Sequence, residues 1–138
     1  MASPKTRQTS VSVDAFLDTV ADAQRRQDAR DIVGILEAET GAKARMWGAG
    51  IVGCGTYQRT YASGPSQEWM LVAMAPRADR LTLYIEPGFE GHDALLATLG
   101  KYRAGKGCIH IKRLADIDVA VLRRLVAASI EQLRARYP

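Results

Sequence analysis

The sequence predicts an α+β fold, an antiparallel β-sheet packed against N-terminal and C-terminal helices, and three observations predict it. Apolar residues recur at helical spacing near the N-terminus, as Ala29, Ile32, Val33 and Leu36. They recur again at the C-terminus, as Val119, Leu122, Val126, Ile130 and Leu133. Between them lie apolar runs of strand length, separated by turns rich in Gly, Pro and Ser. Strands grouped together and flanked by helices form a two-layer sandwich, with the helices on one face of the sheet.

The elements follow in order. Met1 to Ser10 are polar, so residues 1–11 read as a loosely attached tail and 12–138 as a single domain. Ser12 is placed to cap a short helix carrying Val13, Phe16, Leu17 and Val20. A second helix runs from about Ala23 to Thr40, stopped by Gly41. Arg25, Arg26, Asp28, Asp31 and Glu39 form its solvated side. Ala44 to Trp47 reads as a short strand and Ile51 to Ala62 as a long one. Gly53 and Gly55 within it mark a bulge or a close approach. Trp69 to Ala75 and Leu81 to Glu86 are two further strands, with Leu81, Leu83 and Ile85 on one face. A short helix from about His92 to Leu99 precedes a basic loop and a strand over Cys108 to Lys112. Asp116 is the expected cap of a last helix that ends near Arg136.

Composition narrows the function classes. The chain has 138 residues, 47% hydrophobic and 25% charged, the balance of one globular domain. No apolar run reaches the roughly 18 residues of a membrane span, and no signal sequence is apparent. The expectation is a cytoplasmic protein with two free thiols. A net charge of +4 permits acidic partners without demanding nucleic acid, which is not the expected partner.

The segment from Gly100 to Lys112, GKYRAGKGCIHIK, gathers Lys101, Arg103, Lys106 and Lys112 around three glycines. It nearly spells the phosphate-cradling motif GxxxxGK[ST], but Gly107 stands where the magnesium-binding hydroxyl belongs. The loop also leads from a helix to a strand, the reverse of the order that aims a helix N-terminus at phosphates. It reads as a turn bearing solvated lysines.

Three ordered blocks resemble a known family. Met46-Trp47-Gly48, Ile51-Val52-Gly53-Cys54-Gly55 and Tyr57 are similar to the first signature block of the YdhG-like bacterial domains of unknown function. Leu81-Thr82-Leu83-Tyr84 with Pro87-Gly88-Phe89 is similar to the second. Gly100-Lys101, Gly105-Lys106, Cys108, Ile111-Lys112, Leu114, Asp116 and Asp118 are similar to the third. Gly107 departs from the serine or threonine frequent in the family. The resemblance implies a small α+β domain, and some members are described as frataxin-like intracellular iron chaperones.

Several constellations carry chemistry. Tyr57, Arg59 and Tyr61 alternate onto one strand face, and Tyr84 points away from Leu83. With Trp47, Trp69 and Phe89, and with Lys101, Lys106 and Lys112, they are expected to border one concavity for a small or anionic ligand. Non-enzymatic binding of such a ligand, or of a partner, is the expected function. The alternative is a frataxin-like iron chaperone, with Asp14, Asp18 and Asp22 as surface ligands. No other cofactor is expected. Cys108 and His110 share a strand face, but a nucleophile pair also needs an orienting group, and the sequence names none. The last helix, with Arg123, Arg124, Arg134 and Arg136 on its polar side, is a candidate homodimer face.

Overall fold

The computed structural model describes residues 8–59, 66–85, 92–105 and 108–137. Among these residues the fold is α+β. Strands β1 (Gln8–Thr9), β2 (Arg45–Trp47), β3 (Ile51–Arg59), β4 (Gln67–Pro76), β5 (Leu81–Tyr84), β6 (Arg103–Gly105) and β7 (Cys108–Ile111) form one antiparallel sheet. Its order is β1-β2-β3-β4-β5-β7-β6. The helices are α1 (Val13–Asp18), α2 (Ala23–Thr40), α3 (His92–Ala97) and α4 (Val119–Arg136).

Caps set the helix ends. Ser12 Oγ accepts the Ala15 N–H at 3.1 Å, and an Asp22 carboxylate oxygen accepts that of Arg25 at 2.7 Å. Gly41 closes α2 at φ 68°, the left-handed conformation only glycine adopts freely. Asp118, rather than Asp116, caps α4 through the N–H groups of Ala120 and Val121. Asp116 instead ends a short 3-10 turn, Leu114–Asp116. The later start makes Val119 the first helical residue, while Leu122, Val126, Ile130 and Leu133 stay buried as their spacing predicts. Val119 becomes 39% exposed, and the buried stripe is Val121, Leu122, Leu125, Val126, Ile130 and Leu133.

The main core lies between α2, α4 and one face of the sheet. Ile32 and Leu36 meet Leu122, Leu125 and Val126 above Val52, Val72, Met74, Leu83 and Ile109. Each such side chain contributes about 1.5–3 kcal/mol by leaving water. Leu81, Leu83 and Ile85 all enter this core, as their alternation predicts.

The two strand glycines act differently. A Cβ on Gly53 would fall 2.6 Å from Trp47 Cδ1, so the bare strand lets the indole lie against it. Trp47 is thereby only 1% exposed, in a second cluster with Met70 and Ala73. Gly55 has φ 69°, and the Leu71 side chain occupies the space its Cβ would fill. Opposite this kink the adjacent residues Leu71 and Val72 both enter the main core. The strand changes face there, and Tyr57 is carried inward to 8% exposure.

Two expectations fail for residues taken as tail or loop. Gln8–Thr9 pairs with Met46–Trp47, and Arg103–Gly105 pairs with Cys108–His110 as the far edge of the sheet. Asp28, assigned to the solvated side of α2, is 4% exposed. Met1 to Arg7, the end of the long strand with Tyr61, the Pro87-Gly88-Phe89 segment, Lys106 and Gly107 lie outside the described residues.

Candidate functional site: a basic cleft beside β6 and β7

A cavity of about 570 Å³ opens where the β4–β5 turn, the segment after α3, and strands β6 and β7 meet. Arg80, Lys101, Arg103 and Lys112 line it together with Tyr102 and His110. Its acidic groups are Asp79 and Asp116, so four permanent cations face two carboxylates. Among the described residues none of the four cations is held in an ion pair.

Local structure fixes each wall. Arg77 N–H donates to Arg80 O at 2.8 Å and closes the turn, while Arg25 Nη1 donates to Ala78 O at 2.7 Å and ties the turn to α2. Gly100 has φ 123°, and a Cβ there would lie 2.5 Å from Asp116 O. Only glycine lets this backbone pass so close to 116–117. The Lys101 N–H then bonds Asp116 O at 3.0 Å, and the Asp118 N–H bonds Leu99 O at 2.7 Å. Lys112 follows the end of β7, and the residues after it are held by Asp28, which accepts from Arg113 Nε at 3.2 Å and Leu114 N at 3.1 Å.

His110 stands in the cleft wall, paired across the sheet with Thr82 on one side and Arg103 on the other. Burial, then the charges of Arg80 and Arg77, push its pKa below the usual 6.5. The imidazole is therefore neutral at pH 7 and leaves the positive potential to the arginines and lysines.

The expected site divides into separate places. Lys101 and Lys112 line the cleft as anticipated. Tyr57 and Arg59 do not join them. Arg59 Nε donates to Tyr57 Oη at 3.0 Å, and its guanidinium lies 5.0 Å from the Trp69 ring centroid. The Tyr57 ring packs 5.1 Å from that of Tyr137. Tyr57 pairs with Trp69 at one end of β4, whereas the cleft turn begins after Pro76 at the other. Seven residues at about 3.3 Å each put roughly 23 Å between those ends. Trp47 is sealed in the second cluster, with its ring edge-on to Trp69 at 6.0 Å. Tyr84 Oη accepts from Arg77 Nη2 at 3.0 Å, near the turn but not in the cleft lining.

The acidic set is also committed elsewhere. Asp14 and Asp18 both pair with Arg30, and Asp22 caps α2. Among the described residues no group of three or more His, Cys, Asp or Glu side chains is placed to hold a metal ion.

Sequence reasoning missed Arg80 and Tyr102 and treated Arg103 only as a loop cation. The available signal was the Arg77–Arg80 turn, which antiparallel pairing of β5 with β7 brings beside Lys112. Among the described residues no helix is long and apolar enough to cross a membrane. Comparison with protein families, curated proteins and solved structures gives no match.

Proposed function

We propose that the protein binds a small anionic metabolite, bearing phosphate or carboxylate groups, in the cleft between the β4–β5 turn and β6. One observation carries the proposal: four cations that have no ion-pair partner among the described residues converge on a single cavity of about 570 Å³. Cavities of roughly 300–1,000 Å³ suit metabolite-sized ligands. Guanidinium groups from Arg80 and Arg103 grip an oxyanion through paired N–H donors, while Lys101 and Lys112 act as point charges. Tyr102 adds a phenol ring and an aromatic wall. Asp79 and Asp116 disfavour a highly charged polyanion, which favours a compact ligand over a nucleic-acid backbone. The proposal needs no chemical step, places the protein in a reducing cytoplasm with free Cys54 and Cys108, and keeps the YdhG-like resemblance as its proposed kinship.

Titration of the protein with inorganic pyrophosphate, followed by amide NMR, tests it. Shifts are expected at Lys101, Arg103 and His110. Lys101→Ala and Arg103→Ala should each weaken binding by about tenfold, or about 1.4 kcal/mol. Perturbation at Arg59 and Trp69 instead, or none at all, overturns the reading. An oligonucleotide that outcompetes pyrophosphate would point to nucleic acid.

A further inference from the structure

We propose that Cys108 is a nucleophilic thiol, with His110 as its base and Thr82 as the positioning residue, and that it reacts with small anionic electrophiles drawn to the basic cleft. The inference rests on the anion-binding reading for its choice of substrate, but not for the reactivity of the thiol.

Cys108 Sγ lies 3.5 Å from His110 Nε2, and Thr82 Oγ1 lies 2.9 Å from Nδ1 of the same ring. Thr82 is 3% exposed, so its hydroxyl is held against the imidazole rather than against water. This is the third group the sequence did not supply. It appears only when β5 pairs with β7 and sets Thr82 opposite His110. Cys108 is two residues along β7 on the same face. With Nδ1–H donating to Thr82, Nε2 presents its lone pair to the thiol.

Two further features favour reaction. Gly105 faces Cys108 across β6–β7, and a Cβ there would lie 2.6 Å from Sγ and 3.0 Å from His110 Nε2. The absence of a side chain lets the thiol and the imidazole lie together against the β6 backbone, which holds the pair in register. Arg77 and Arg80 from the turn, Arg103 from β6, and Lys101 and Lys112 of the cleft surround His110, against Asp79 and Asp116. Burial, then Arg80 and Arg77 in this set, disfavours imidazolium and keeps the Nε2 lone pair free to take a proton. His110 also lines the cleft, so a ligand held there sits beside the sulfur's base.

In the step, the thiol proton passes to His110 Nε2 and on to water. Sulfur forms a bond to the electrophilic carbon, and the leaving group departs with its electron pair. No oxidant is needed. Cys54 is an internal control, because it is fully buried and burial pushes its thiol up to about 12.

Alkylation rates followed by intact mass, with peptide mapping, test the proposal. Iodoacetamide should modify Cys108 at least about tenfold faster than free cysteine at pH 7, a conservative share of what a positioned base supplies. Cys54 should stay unmodified. His110→Gln should remove the advantage, Thr82→Val should reduce it, and Thr82→Ser should restore it. The wild-type rate should fall through an inflection below pH 6.5, where His110 protonates. The iodoacetate-to-iodoacetamide rate ratio should exceed that of free cysteine and collapse in 0.5 M salt, on the order of the screening expected at that ionic strength. A Cys108 no faster than free cysteine toward iodoacetamide overturns the thiol proposal and leaves the anion site standing. A fast thiol with no preference for iodoacetate overturns the choice of substrate and counts against the cleft reading.

Discussion

Asp28 and Leu114 are 86 positions apart in the chain, yet the buried carboxylate of the first accepts the backbone N–H of the second at 3.1 Å. The same carboxylate receives Gln24 Nε2 at 2.9 Å and Arg113 Nε at 3.2 Å. Helix α2 thus holds the chain as it leaves β7, immediately after the cleft residue Lys112. Asp28→Ala would strand the Leu114 N–H and remove three partners. The expected loss is about 2–3 kcal/mol in urea unfolding, and pyrophosphate affinity should fall with it. The Arg113 side chain is 48% exposed, so most of the loss comes from the Leu114 and Gln24 bonds rather than from the ion pair. Arg113→Ala should therefore cost under about 1 kcal/mol.

Gly100 and Gly34 give opposite signs for the same substitution. Gly100 combines φ 123° with an approach that would put a Cβ 2.5 Å from the Asp116 carbonyl oxygen. Gly100→Ala should destabilise by about 3 kcal/mol and displace Lys101. Gly34 is exposed within α2, and a Cβ there meets nothing within 4 Å. Gly34→Ala should stabilise by about 0.5–1 kcal/mol through helix propensity. Denaturant midpoints of the two variants check the pair, and equal effects would refute the reading of Gly100.

The fold was legible where a local pattern and a tertiary demand coincide. Leu36 and Leu122 keep helical spacing because each helix has one face to bury, and Leu83 alternates because β5 has one face on that core. Tyr57 was misplaced because alternation assumes a straight strand, and the Gly55 kink turns the ring to the helix side. The edge strands β1 and β6 carry too few residues for a period and exist only through pairing with β2 and β7. For the site, Lys101 and Lys112 were legible as cations near glycines. Arg80 and Thr82 were not, since their relevance depends on which strand lies beside β7.

The separation of Arg59 from the cleft makes a direct comparison possible. Arg59 stacks over Trp69 and bonds Tyr57, about 23 Å along β4 from the turn that carries Arg80. Arg59→Ala should cost about 1 kcal/mol of stability through lost cation–π and packing contacts. Pyrophosphate affinity should stay unchanged, while Arg80→Ala should lower it about tenfold. Calorimetric titration of both variants decides between the cleft and an aromatic site on β3.

His110 links the cleft to pH. Its folded pKa lies below the unfolded 6.5, through burial first and then Arg80 and Arg77, so the folded state resists protonation. At pH 8 the ring is neutral in both states and costs nothing. As pH falls through 6.5 the unfolded chain takes up the proton first, and stability drops until the folded pKa is passed. Wild type should therefore lose stability relative to His110→Gln over the interval just below pH 6.5. A bound anion supplies negative charge beside the ring and reverses the shift. In an NMR titration the His110 Cε1–H midpoint should move upward when pyrophosphate is added, and a midpoint that stays put would place the anion elsewhere.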